Sequence, residues 1–531
     1  MRIGMIYYAL TTYHVLCCVL HKMTVHPQEN AVLLLSDIHK NSVAFAKHYQ
    51  STGIFDKVVL LEELSVLEHQ RYLERKKMPA GFILSACCRQ MEKCLKKAGV
   101  HVKGEKNLYV CPDHFPFGWY VIKNKLSYHC FEEGSGVLSN RDFALENMKR
   151  NKTQYHFYFS LGCFGENRYA CEILADAEKQ KPGYTHPKMA DFSVDRILQE
   201  MPEAKRQQVL HFFGVKEKIV LSENSALLLT QHMANLGLMT LSEQHMLYTL
   251  FADYLFAPNS QLVIKPHPDD IAGMYRRVFQ GKAKILPFAM PSELIRYCIS
   301  GRFQKAAAAY STSVRSMQFI AGQTLCFDDR ILKDWRYMPQ YDCAVRFLQS
   351  IGIQSVDTDG DELLLQELSH MRKSPAVFSH PDQIFASSAE AVVFSDLNQQ
   401  DPIRRAEQTV SFLRRTAARV VIFCQEKESY AFFDGQDKSL FRYIRPITLY
   451  GNGQMRHITI FTKEQTIMKA AEQFAIKKEL PYTGVTVEMR GIGASEAEKI
   501  RVLEGVLAAT EKRLNSYIEE SRRSCEETDH L

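Results

Sequence analysis

Short apolar runs recur along the chain, separated by longer stretches in which apolar side chains return every three or four positions. The runs read as strands buried on both faces, and the longer stretches read as amphipathic helices. In the first 150 residues this pattern predicts strands at 3–8, 31–35, 57–61, 107–111 and 127–131. Helices are predicted at 13–22, 41–49 and 82–97. Such alternation suits a parallel sheet with crossover helices, so residues 1–150 read as a Rossmann-like domain. Residues 151–215 are aromatic and glycine-punctuated, then polar and proline-containing, and read as an excursion and linker.

A second alternation follows. Strands are expected at 218–222, 261–265 and 306–310, with helices at 241–256, 291–300 and 313–322, the last closed by Gly322. Residues 216–345 thus read as a second Rossmann-like domain. Residues 346–390 read as a linker region. It holds a helix at 362–371 and a proline- and serine-containing passage at 374–388. Further on, helices at 403–418, 464–478 and 494–521 alternate with strands at 419–424, 457–462 and 485–489. This predicts a smaller C-terminal α/β domain over 391–531, without a cluster of chemically active residues. The last helix carries an apolar stripe among many charges and suits burial against its own domain or a homodimer or partner surface. The expected fold class is therefore α/β, with two Rossmann-like domains facing a cleft and a smaller C-terminal α/β domain.

Composition narrows the partners. At 531 residues the chain exceeds what one core organises. Its 66 basic against 60 acidic residues leave a mild positive excess that suits an anionic ligand or peripheral contact with a membrane surface. No dense Lys/Arg block or aromatic-basic tract argues for nucleic acid. The 14 cysteines are scattered, with no Cys-x-x-Cys pair, so reduced thiols in a cytosol are expected rather than disulfides or zinc. Residues 3–20 are apolar, but Thr11-Thr12-Tyr13-His14 interrupts them and no cleavage pattern follows. They read as strand, loop and helix, which leaves a cytoplasmic protein, at most peripheral at the inner membrane face.

Candidate chemistry gathers at two predicted strand ends. Val263-Ile264-Lys265-Pro266-His267-Pro268 places an ammonium and an imidazole beyond a strand's carboxyl end, where open α/β sheets hold ligands. Other His-Pro pairs occur at His26, His186 and His380, but the pair at His267 alone follows a strand-like run with a lysine two residues upstream. Ser311-Thr312-Ser313 precedes a predicted helix, where hydroxyls and free amides suit an anion. In the first domain a strand ends in Glu132-Glu133-Gly134, so either carboxylate is a candidate general base. Asp357-Thr358-Asp359-Gly360-Asp361 has the carboxylate spacing of a cation loop but lacks the downstream bidentate Glu, and reads as a solvated turn capping a helix. No metal site is expected.

In this order, Glu132-Glu133-Gly134, His267-Pro268 and Ser311-Thr312-Ser313 resemble the motifs of bacterial sialyltransferases of GT-B fold. The Thr11–His14 loop is similar to that family's N-terminus, and the resemblance spans roughly residues 1–345. It implies an inverting, metal-independent transfer of sialic acid from CMP-sialic acid to a glycan acceptor, with no cofactor. Glu132 would deprotonate the acceptor hydroxyl, with Glu133 and Gly134 beside it. His267 would act as acid at the leaving cytidine monophosphate, Ser311, Thr312 and Ser313 would hold its phosphate, and Lys265, Pro268 and Glu293 would hold base and ribose. Many relatives have Asp at the base position, and three hydroxyls stand here for the family's two. Glycerophosphotransferases using CDP-glycerol share the fold and the His-Pro turn but usually carry Asp-Tyr-Ser-Ser, whereas this chain has Ala309-Tyr310-Ser311-Thr312. The third reading is a non-catalytic assembly protein that kept the fold.

Overall fold

A computed structural model describes residues 4–476 apart from 39–40, 106, 133–137, 150, 258, 271–272, 280, 310–311, 328–333, 373–375, 382, 396–401, 426–442 and 452–453. By contact density the chain divides into two units, one of Met1–Asn235 with Gln261–Leu325 and one of Leu236–Ser260 with Cys326–Leu531. The expected strand 485–489 and helix 494–521 lie outside the described residues.

The first unit holds two parallel sheets. In the larger sheet the strands are β1 (Met5–Ala9), β2 (Ala31–Ser36), β3 (Lys57–Leu61), β4 (Leu108–Cys111), β5 (Tyr128–Phe131), β6 (Ala170–Ala175) and β7 (Met189–Asp191). They run in the order β3-β2-β1-β4-β5-β6-β7, and every pairing is parallel. β1 and β2 are buried along their whole length, which is why they read as unbroken apolar runs rather than alternating ones. Each fully buried leucine of β2 stabilises the sheet by about 1.5–3 kcal/mol. Helix α1 (Thr12–Thr24) follows β1 through a capping box, in which Thr11 Oγ1 accepts from His14 N at 3.2 Å and His14 Nδ1 accepts from Thr11 N at 3.1 Å. Helix α2 (Ser42–Ser51) joins β2 to β3. Helices α3 (Glu63–Arg75) and α4 (Ala80–Lys97) form a hairpin between β3 and β4.

Residues 151–215 do not form the expected excursion and linker. They supply β6 and β7, both in the sheet, and the helices Lys152–Leu161, Val194–Glu200 and Glu203–Phe212. β6, Ala-Cys-Glu-Ile-Leu-Ala, is broken by a glutamate that lies on the partly exposed face, so its apolar run is too short to stand out.

The second sheet has β9 (Ser225–Leu229) at its centre, in the order β11-β10-β9-β13-β14. Its other strands are β10 (Gln261–Lys265), β11 (Ala283–Ile285), β13 (Phe303–Ala308) and β14 (Ala321–Cys326). The segment expected to open this domain, 218–222, provides only β8 (Ile219–Val220), paired with β12 (Ile299–Ser300) outside the main sheet. The expected helix 291–300 is a 3₁₀ turn, Ser292–Tyr297, running into β12. The expected helix 313–322 is likewise a 3₁₀ turn, Thr312–Phe319. Gly322 does not cap it but sits within β14, where a Cβ would approach Gln304 O to 3.0 Å.

The second unit contains a mixed sheet in the order β16-β15-β17-β18-β20-β19, built from β15 (Ser355–Thr358), β16 (Val377–Ser379), β17 (Ala391–Ser395), β18 (Val420–Gln425), β19 (Tyr443–Gly451) and β20 (Gln454–Thr462). Residues 346–390 are thus not a linker, because β15, the helix Glu362–Met371 and β16 all belong to this body. Asp361 caps that helix as expected, accepting from Leu364 N at 3.0 Å. The helix Leu241–Tyr254, expected in the second Rossmann-like domain, falls in this unit by contact. No helix among the described residues is long and apolar enough to cross a membrane.

Candidate functional site

Parallel sheets of this kind hold ligands in the crevice where the strand order reverses. In the larger sheet the reversal lies between β1 and β4, and in the second between β9 and β13. Residues that handle a ligand are therefore expected just beyond those strand ends.

Beyond β4, Asp113 is buried and saturated. It accepts from Phe164 N and Gly165 N, each at 2.8 Å, and from Tyr128 Oη at 2.7 Å. It fixes the 162–167 turn rather than offering a reactive carboxylate. Next to it, beyond β5, Glu132 is 6% exposed and lines a small pocket with Pro112, Asp113, His114, Phe131 and Leu138. Its Oε1 accepts from Leu138 N at 3.0 Å and its Oε2 from Gln180 Nε2 at 2.7 Å. Burial pushes this carboxyl up to about 7, the two donors and Lys179 pull the other way, and Asp176 adds a smaller upward push. Burial, not a neighbouring like charge, is thus the larger cause. Glu133 and Gly134 lie outside the described residues.

On the second sheet, β10 ends in Lys265, which is 5% exposed and donates through Nζ to Pro266 O. Burial lowers its ammonium to about 7, opposed by the charge of Glu293. Glu293 opens the 3₁₀ turn after β11, and burial raises its carboxyl. The His267 backbone N donates to Thr230 Oγ1 at 3.1 Å, and its Nδ1 accepts from Asp269 N at 3.1 Å. An imidazole whose Nδ1 accepts carries its proton on Nε2, so His267 presents an N–H. Its ring lies 4.0 Å from that of His232, at 34°.

His232, His267 and Asp269 place one ligand atom each within 4.8 Å of one another, a spacing compatible with a metal ion. Coordination through His267 Nε2 would move its proton to Nδ1, against the Asp269 N–H that now donates there. The backbone geometry thus favours His267 as a hydrogen-bond or proton donor over His267 as a ligand. Of the hydroxyls, Ser313 is described and partly buried, Ser311 lies outside the described residues, and Thr312 is described in its backbone only.

The two carboxyl edges meet within the first unit. Asn41, beyond β2, donates through Nδ2 to Pro268 O at 2.8 Å and Asp270 O at 3.1 Å, pinning the His-Pro turn to the larger sheet. The charge of Glu293 is felt by Tyr13 and Cys17 of α1, by Lys179 and by Lys265. Lys179 in turn acts on Glu132, and it is ion-paired to Asp195 at 2.9 Å and Asp176 at 3.7 Å. An electrostatic chain from Glu132 through Lys179 and Glu293 to Lys265 thus joins the first motif to the second. Sequence reasoning missed Asn41, Lys179, Gln180 and His232. Only the position of His232 just past the overlooked strand β9 could have drawn notice to it.

The fold and this edge define an α/β protein with two doubly wound parallel sheets and a polar, partly buried site along their carboxyl ends. The chain matches no family model and no curated protein.

Proposed function

We propose that the protein is an inverting sialyltransferase of GT-B type that moves sialic acid from CMP-sialic acid to a glycan hydroxyl in the cytoplasm. What supports this reading is a buried carboxyl raised to about 7 beyond one sheet and a donor imidazole beyond the other, with Asn41 tying the imidazole's turn to the first sheet. A base near neutrality takes a hydroxyl proton without being permanently protonated. In the reaction, the acceptor oxygen bonds to the anomeric carbon from one face and gives its proton to Glu132. The bond from that carbon to the phosphate oxygen breaks on the other face, and its electron pair leaves with CMP. His267 Nε2–H donates to the departing phosphate, aided by Lys265 and the hydroxyls at 311–313. In this reading Glu293 and Pro268, with Lys265, hold base and ribose. The free thiols of the described cysteines support a reducing compartment.

The test is a donor panel. Purified protein is incubated with CMP-sialic acid or CDP-glycerol and a set of acceptor glycans, and products are read by mass spectrometry. A sialylated glycan is the expected product. A glycerophosphate adduct would move the protein to the glycerophosphotransferases, and turnover of neither donor would support the non-catalytic reading.

A further inference from the structure

The end of α3, the connection and α4 concentrate positive charge, although Glu63 and Glu68 in the first turns of α3 bring the whole hairpin to +4. Residues 71–97 hold eight Lys or Arg against two Glu, a net charge of +6 that equals the net charge of all 531 residues. The rest of the chain is therefore balanced. The cations follow one another through the last turn of α3, the connection and α4. The apolar faces of α3 and α4 pack inward, with Val66, Leu67 and Leu73 buried on one and Ile83, Met91 and Leu95 on the other. Arg71, Arg75, Lys76, Lys77, Arg89 and Lys93 are all exposed, and no ion pair holds them among the described residues. Of the two acids, Glu74 accepts from Gln70 Nε2 at 2.8 Å, and Glu92 pairs with Lys96 and Lys103.

The turn of the hairpin adds a second property. Tyr72, Met78 and Phe82 are 51%, 36% and 45% exposed, a cluster of large apolar side chains at one tip. The tip is a closed motif. Lys77 takes the left-handed conformation, φ 54°, its N donates to Glu74 O at 2.8 Å, and Met78 N donates to Leu73 O at 3.2 Å. Apolar side chains are thus held in solvent by a hydrogen-bonded cap.

We propose that this hairpin tip docks the protein on a bilayer surface rich in anionic lipid. The cations meet the headgroup charge, and Tyr72, Met78 and Phe82 enter the boundary between headgroups and acyl chains. The apolar cluster distinguishes a bilayer from a nucleic acid or other polyanion, which would use the cations alone. The tip lies apart from the carboxyl edges that hold Glu132 and His267. Cys94 Sγ donates to Glu62 O at 3.5 Å, so the end of α4 lies beside the start of α3, and the tip is roughly 20 Å from the sheet's carboxyl edge, the length of α3. The proposal stands whatever the donor proves to be.

Co-sedimentation of the full chain with vesicles tests it, comparing pure phosphatidylcholine with phosphatidylcholine containing about one quarter phosphatidylglycerol. Two variants are needed, the charge variant R75S/K76S/K77S and the apolar variant Y72S/M78S/F82S, each shown by circular dichroism and melting to be folded. Wild type should prefer the anionic vesicles, and the charge variant should bind them roughly a hundredfold more weakly. The apolar variant should also lose binding. Equal binding to both vesicle types overturns the proposal. So does an apolar variant that binds like wild type, or wild type that binds heparin as tightly as anionic vesicles, since either outcome marks a polyanion surface.

Discussion

Replacing Glu132 with Gln should make stability relative to wild type rise with pH up to neutrality while abolishing transfer. Glu132 is 6% exposed and its carboxyl lies near 7 in the fold against an ordinary 4.5. Between those values the folded state holds a proton that the unfolded state has released, so wild-type stability falls as pH rises through this window. Each pKa unit is worth about 1.36 kcal/mol, so the loss is complete above pH 7 and totals about 3 kcal/mol. The amide of the Glu132→Gln variant has nothing to titrate, and the variant-minus-wild-type difference isolates this one group. That subtraction matters because Glu63, fully buried and hydrogen-bonded by Tyr8 Oη at 2.8 Å and Phe117 N at 2.8 Å, is also pushed up to about 7 and slopes the same way. Lys265, lowered to about 7, makes stability rise with pH between that value and its ordinary 10.5. Urea unfolding of both proteins at half-unit steps from about pH 4 to 8.5 gives the difference curve. It should climb by about 3 kcal/mol between pH 4.5 and 7 and then flatten. A change below about 1 kcal/mol would mean that Glu132 ionises like a surface glutamate, and the case for it as a neutral-pH base would fail.

Three further outcomes follow from the same geometry. His267→Ala should lower turnover by about two to four orders of magnitude with the fold intact, and turnover within a few-fold of wild type would remove His267 from the chemistry. Gln180→Leu deletes the 2.7 Å hydrogen bond to Glu132 Oε2, which favours the ionised carboxyl. Its loss should move the acid limb of kcat/KM about one to two units toward higher pH, and a downward or absent shift would refute that role. Transfer should persist in excess chelator, whereas abolition with rescue by a divalent cation, lost again in His232→Ala, would make ligands of His232, His267 and Asp269.

Much of the fold was legible because strands buried on both faces announce themselves. The expected strands 57–61 and 261–265 coincide with β3 and β10, and 31–35 falls short of β2 by one residue. What hid was local structure resting on tertiary contacts. β9 reads Ser-Ala-Leu-Leu-Leu, and the β-branched pair Ile219-Val220 six residues earlier drew the assignment although it forms only a short outlying pairing. Helix α3 carries few apolar residues and many charges, so its narrow stripe of Val66, Leu67, Gln70 and Leu73 did not separate from its polar surface. The two 3₁₀ turns read as helices because a three-residue period and a 3.6-residue period cannot be told apart over six to eight residues.

The site was legible where chemistry coincides with a strand end and illegible where it arises from two chain segments meeting. Glu132 and Lys265 could be singled out because each follows an apolar run directly, and burial at that junction is what displaces their ionisation. Lys179 lies within Glu-Lys-Gln-Lys, an ordinary solvated stretch by composition. It becomes part of the site only because β6 inserts beside β5, carrying Asp176, Lys179 and Gln180 to the Glu132 carboxyl. Asn41 is equally plain as a residue before a helix, and its two hydrogen bonds to the His-Pro turn depend on a meeting of segments 227 positions apart in the chain. The residues that tune a buried carboxyl are thus set by strand order, and strand order is what a one-dimensional pattern of apolar runs leaves open. Reading 151–215 as a linker therefore cost more than two strands, since it removed from view the segment that sets the acidity of Glu132.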